Sequence, residues 1–153
     1  MLVGNKPKRK TPKLSLGSVE KRLLRRAGVN VMDLPRFGAS ELSLLTGIPL
    51  GRCKKLLALS TFQELRSVGP SAAEDLWALG YSSIEALRGA DPVGMYERLN
   101  RMAGKRLDPC VEDVLRCAVA QAICPDLPQP YMDWWVWRNQ RGQHYVRLPE
   151  PLE

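Results

Sequence analysis

The chain has 153 residues, 44% of them hydrophobic and 25% charged, with a formal net charge of +7. That composition fits one globular domain with tails, and the charge favours an anionic partner, nucleic acid being the commonest, without bearing on fold. It also excludes classes: no apolar run nears the roughly 18 residues of a membrane span, no apolar core follows the N-terminal charges as a secretory signal requires, and four cysteines in such a chain read as reduced thiols of a cytoplasmic protein.

Residues 1–17 carry Lys6, Lys8, Arg9, Lys10 and Lys13 and no acid, with Pro7 and Pro12 between them. This is the pattern of a disordered basic arm, which either adds salt-sensitive affinity for phosphates or solubilises the chain. Ser18 is expected to open a short helix with Val19, Leu23 and Leu24 on its apolar side and Gly28 as its stop. Glu20 gives that helix an imperfect capping box, and Lys21, Arg22, Arg25 and Arg26 extend the positive charge. Asn30 to Phe37 reads as a connector, because Pro35 turns Leu34 away from helical conformation. Its Val31, Met32, Leu34 and Phe37 are expected to pack beneath the next element, a helix capped by Ser40.

From Leu45 to Leu87 one short unit is written twice, as LTGIPLGRCKKLLALSTFQEL and then LRSVGPSAAEDLWALGYSSIEAL. With Leu45 set against Leu65, Ile48 meets Val68, Cys53 meets Ala73 and Leu56 meets Leu76, so the offset is twenty residues. A repeat of this kind decides the architecture before any other signal. Each copy resembles the helix-hairpin-helix motif, in which two short helices flank a tight turn and a small residue lets them pack closely. The first copy keeps Gly47 of the usual glycines and has Pro49 and Gly51. The second has Ser67 where Gly47 stands, and keeps Gly69.

A turn running straight into a helix N-terminus leaves several backbone N–H groups free, and with the helix dipole they cradle a phosphate oxygen. The resemblance implies largely sequence-independent binding of the DNA backbone, often with a hairpin-bound monovalent cation; no other cofactor is expected. The candidate DNA contacts are Gly47, Ile48, Pro49, Gly51, Arg52, Lys54 and Lys55 at the first hairpin, and Arg66, Val68, Gly69, Pro70 and Ser71 at the second. Hairpins of this type also serve as plain packing units. Glu74 and Asp75 make the second one acidic overall. Its sequence is similar to the thumb hairpin of family X DNA polymerases, yet no paired aspartates for metal-assisted nucleotidyl transfer accompany it.

Asp91-Pro92 and Asp108-Pro109 are two helix starts. The first helix should end at Gly104, with Val93, Tyr96, Leu99, Met102 and Ala103 on its apolar side. The second should run to about Cys124 and be the central core helix, since Val111, Val114, Leu115, Ala118, Val119, Ala122 and Ile123 cover more than half its circumference. Cys110, Cys117 and Cys124 recur on it every seven residues, about 10 Å apart at 1.5 Å per residue. That is too far to share a zinc ion, so small core residues are the favoured reading and no metal site is expected. In YMDWWVWR, Trp134, Trp135 and Trp137 can stack on unpaired bases with Arg138 on phosphate, or clamp the C-terminal segment to the bundle. Their divergent directions favour packing. Residues 139–153 read as a polar tail.

From about Phe62 to Arg138 the chain resembles the bacterial pathogenicity-locus family of small helix-hairpin-helix proteins, also labelled mitomycin-resistance proteins. The resemblance rests on LRSVGPSAAEDL, LRGADPVGMYERL, RLDPCVEDVLRCAV and the WWVW block. It implies an all-α, tandem helix-hairpin-helix domain over residues 18–138, with hairpins at about 45–57 and 65–77 and additional C-terminal helices. It also implies DNA association and a link to DNA repair or damage resistance. The second hairpin is similar, too, to the C-terminal domain of competence regulators. The favoured expectation is therefore a non-enzymatic DNA-backbone binder. The alternative is a protein-interaction or regulatory module with little DNA affinity. A lyase or glycosylase using Lys54 or Lys55 is disfavoured, because neighbouring lysines on an exposed basic helix lack the burial that activates an amine. The sequence leaves the oligomeric state open.

Overall fold

A computed structural model describes residues 10–150, and every regular element in that range is helical. The α-helices are α1 (Ser18–Arg26), α2 (Ala39–Thr46), α3 (Leu50–Phe62), α4 (Pro70–Ala78), α5 (Pro92–Ala103) and α6 (Cys110–Ile123). Short 3-10 helices cover Val31–Arg36, Glu85–Leu87, Gln129–Met132 and Trp134–Gln140. Among the described residues no helix is long and apolar enough to cross a membrane.

The helix boundaries follow local chemistry. Asp91 accepts the Val93 N–H at 3.0 Å and Pro92 opens α5, while Gly104 closes it in a left-handed conformation. At α1 the cap is Gly17, one residue earlier than expected from Ser18, and Glu20 accepts its N–H at 3.0 Å. Gly38, not Ser40, precedes α2. The Asn30–Phe37 connector is a 3-10 helix with Pro35 inside it; its i→i+3 bonds run from Asp33 to Asn30 and from Phe37 to Leu34, so proline's missing N–H leaves both intact.

Three apolar clusters hold the elements together. Leu24, Leu34, Leu42, Ile48 and Cys53 join α1, the first 3-10 helix, α2 and the start of α3. Phe62, Val68, Ala73, Leu76, Leu99 and Val119 join α3, α4, α5 and α6. Cys117, Ala120, Leu127 and Trp137 fasten the segment after α6 onto its far side. Ten of the fourteen residues of α6 are buried, Glu112, Asp113, Arg116 and Gln121 among them, while Ile123 of the expected apolar face is exposed.

Two segments read as tails belong to the body. Residues 10–17 lie against α3: the Lys13 N–H donates to Gln63 Oε1 and Gln63 Nε2 to the Lys13 carbonyl, both at 2.9 Å, and Leu14 and Leu16 enter the apolar clusters. Only residues 1–9 of the expected arm lie outside the described residues. The expected polar tail from residue 139 is likewise tied down through residue 148, because α6 carries buried charges that demand partners. Arg116, with no side-chain exposure, pairs with Glu112 at 2.7 Å and also donates to the Gln143 carbonyl. Asp113, equally buried, is held by Arg141 at 2.5 and 2.9 Å. Glu112 accepts the Gly142 N–H at 3.0 Å. Gln140 and Arg147 close the loop through two mutual hydrogen bonds.

Removing one partner of a buried pair leaves the other charge desolvated. Arg116→Met is therefore expected to lower the unfolding free energy by about 3 kcal/mol in urea denaturation. Adding Glu112→Leu should recover about half of that loss. Equal losses in the single and double variants would assign the effect to packing instead of charge.

Candidate functional site

The two repeat units build two turns at opposite ends of one helix. At 13 residues, α3 separates them by about 20 Å at 1.5 Å per residue. It is the exit helix of the first turn and the entry helix of the second.

In the first turn Gly47 is left-handed at φ 78, and its N–H returns to the Ser43 carbonyl at 2.8 Å. Thr46 Oγ1 accepts the Ile48 N–H at 3.1 Å and Ser43 Oγ donates to the Ile48 carbonyl at 2.7 Å, so the reversal is braced by hydroxyls at its own ends. Ile48 and Cys53 are fully buried while Gly47, Pro49, Leu50 and Gly51 face solvent. The first bonded amide of α3 is that of Cys53, to the Pro49 carbonyl. The N–H groups of Leu50, Gly51 and Arg52 have no partner among the described residues, and beyond its own helix nothing described lies within 4 Å of where a side chain at Gly51 would begin. Lys54, one turn on from Gly51, is exposed.

Two of the expected cations here are already engaged. Arg52 donates from Nε to Glu20 Oε2 at 2.7 Å and from Nη2 to Glu20 Oε1 at 3.1 Å and the Ser15 carbonyl at 2.7 Å. Lys55 pairs with Glu74 at 3.2 Å. The Arg52 contact does, however, tie the start of α1, through Glu20, to the first turn of α3, and α1 also carries Lys21, Arg22, Arg25 and Arg26. All four are exposed with no carboxylate partner among the described residues.

The second turn repeats the backbone and changes the chemistry. Ser67 is left-handed at φ 70, Val68 is buried like Ile48, and the amides of Gly69, Ser71 and Ala72 lack partners among the described residues. Gly69, Pro70 and Ser71 are exposed. Yet Ser67 Oγ donates to the Met132 carbonyl at 2.7 Å and accepts the Trp134 N–H at 3.1 Å. Arg66 is held at both ends, its backbone by Gln121 at 3.0 and 2.8 Å and its guanidinium by Asp133 at 3.0 Å. Beside the turn a cleft of about 290 Å³ opens between the N-termini of α4 and α6, lined by Gly69, Ser71, Asp75, Cys110, Val114 and Leu115 among others. Burial and then the neighbouring Glu74 push the Asp75 carboxyl above its ordinary value. Where the first turn has Lys54 and Lys55, the second has Glu74 and Asp75.

The aromatic block divides. Trp137 is buried and donates from Nε1 to the Tyr131 carbonyl at 2.8 Å, and Trp134 packs in the same cluster, edge-on to Trp135 at 5.9 Å. Trp135 is half exposed. Of the cysteines, Cys53 and Cys117 are buried and Cys110 and Cys124 half-buried; desolvation pushes the Cys117 thiol up to about 11.

The family model described as pathogenicity locus matches residues 55–143, more than half of the chain. Mitomycin resistance protein McrB of Streptomyces lavendulae is 38% identical over 82 residues, which cover 54% of this chain and 74% of that protein. No solved structure matches the chain. The family match begins beyond the first turn and includes the second.

The Glu20–Arg52 pair gives the first turn a pH dependence. The hydrogen bond from Arg52 holds the Glu20 carboxyl below its ordinary value of 4.5, so the stabilisation is present above that pH and is lost as pH falls through the lowered value. Melting temperature is expected to fall on acidification below pH 4.5 by about 2–4 °C more in the native chain than in Glu20→Gln. Identical acid profiles would show that the pair contributes nothing.

Proposed function

We propose, for a chain that belongs to the pathogenicity locus family, that it is a cytoplasmic, non-enzymatic protein that grips the DNA phosphate backbone at its first turn and acts in resistance to DNA damage. The carrying observation is the open N-terminus of α3. Among the described residues the amides of Leu50, Gly51 and Arg52 have no partner, exposed Lys54 follows on the same helix, and α1, tied to that helix through Glu20, carries four exposed cations. Such an arrangement places backbone donors and positive charge on one phosphate without reading bases. The damage-resistance part rests on the mitomycin-resistance relative. The phosphate part rests on this chain's own geometry, since the first turn precedes the matched segment.

The two units are read as a tandem helix-hairpin-helix sharing α3, with only the first turn on DNA. Asp75 beside the second set of amides opposes a phosphate there, and Ser67 and Arg66 are committed to the C-terminal segment. The non-enzymatic reading is supported by the lysines. Lys54 is exposed and Lys55 is paired with Glu74, so neither has the desolvated setting of an amine nucleophile. A protein-interaction reading is favoured by exposed Trp135 and Tyr145 on the C-terminal segment.

Fluorescence anisotropy with a labelled duplex across a salt series separates these readings. Gly51→Glu puts a carboxylate at a helix N-terminus, which favours folding but repels phosphate. It is expected to weaken binding about tenfold or more at moderate salt, roughly the loss of one charged hydrogen bond. Ser71→Glu, the matching change in the second turn, should leave affinity within about twofold, that is within about 0.4 kcal/mol. Deleting residues 1–9 should only flatten the salt slope. Equal effects of the two glutamates, or no DNA affinity at physiological salt, would favour the protein-interaction reading.

A further inference from the structure

The first turn carries a second feature that phosphate binding does not use. Leu44 and Leu45, in the last turn of α2, are 88% and 54% exposed, and Leu50, the first residue of α3, is 43% exposed. All three lie within one helical turn of the reversal at residues 47–49, whose own apolar residue, Ile48, is fully buried. The matching residues of the second unit are Glu64, the buried Leu65 and Pro70. Exposed leucine therefore belongs to the basic copy alone.

Single exposed leucines are ordinary, but three around one turn, bordered by exposed Lys54 and by amides without a partner among the described residues, form a surface of two chemistries. Its centre is apolar and its surroundings are positive. DNA matches both when a base step is opened, because the faces of unstacked bases are apolar and the flanking phosphates are anionic. Leucine is among the side chains that wedge between base steps, at an unstacking cost that is least where pairing is already weak. An acidic amphipathic helix from a protein shares the two chemistries, but it docks in a groove. The cleft described above lies at the second turn, and the other main cavity, of about 450 Å³, is lined by Tyr131, Trp137 and C-terminal residues.

We propose that Leu44 and Leu45, with Leu50, form a wedge beside the phosphate cradle, and that the preferred substrate is duplex DNA containing a weakened base step, such as a mismatch or a lesion. The wedge enters the opened step while the α3 amides and Lys54 hold the adjacent phosphate. This inference rests on the phosphate-binding reading of the first turn.

The test uses the full chain and two duplexes of equal length, one fully paired and one with a tandem mismatch flanked by 2-aminopurine. The native chain is expected to bind the mismatched duplex about tenfold tighter, the order of one buried leucine, and to raise the 2-aminopurine fluorescence. Leu44→Ser/Leu45→Ser, checked for an unchanged melting temperature, should keep paired-duplex affinity within about twofold and lose both the preference and the fluorescence rise. Binding of both duplexes with equal affinity, or a preference that survives in the variant, overturns the wedge and leaves phosphate binding standing. Self-association that depends on the two leucines, seen by sedimentation, assigns the patch to a protein contact and also overturns it. Absence of binding to either duplex removes the phosphate reading and the wedge with it.

Discussion

A left-handed residue at position 47 and another at position 67 govern the arrangement of the rest of this chain. Gly47 ends α2 directly and Ser67 follows α3 after a short turn, each lies three residues before the next helix, and each is followed by a buried apolar side chain, Ile48 or Val68. One turn farther on, Cys53 or Ala73 is small enough for the flanking helices to approach closely. Glycine adopts φ 78 at position 47 without penalty. Serine at φ 70 carries a strain of about 1 kcal/mol, offset by the two hydrogen bonds its hydroxyl makes with Met132 and Trp134. The second reversal is thus braced by distant residues, Gln121 and the C-terminal segment, whereas the first is braced by Ser43 and Thr46 beside it.

The same backbone written twice is used for two opposite electrostatic settings. Lys54 and Lys55 occupy the positions that Glu74 and Asp75 occupy in the second copy, and Lys55 and Glu74 neutralise each other across the α3–α4 contact. Free amides alone do not define an anion site. What distinguishes the two turns is the charge one helical turn inward and the freedom of the surrounding surface. At the first turn both favour a phosphate; at the second, a carboxylate and a docked segment oppose one.

Packing of α6 explains why residues 139–148 are part of the fold. A largely buried helix still carries Glu112, Asp113 and Arg116, and these charges persist in the interior only because residues 140–143 return to meet them. Residues 13–16 perform a comparable service for α3 and for Arg52. Both arrangements join residues far apart in sequence, and both convert polar stretches into structural ones.

Local signals in the sequence were sufficient for the helices and for the repeat. Asp91-Pro92, Gly104 and the apolar periodicity of α6 act within a few residues of themselves, so their outcome follows from covalent geometry and burial. The pairing of Ile48 with Val68 and of Cys53 with Ala73 was legible for the same reason. The partners of the charges were not, because an ion pair is decided by which distant segment passes within about 4 Å. Tertiary structure alone placed Glu20 on Arg52, Asp133 on Arg66 and Arg141 on Asp113. By engaging Arg52 in an ion pair, it left Lys54 and three amides without partners among the described residues at the first turn. Chain order determined the two reversals; long-range pairing determined which one remained open.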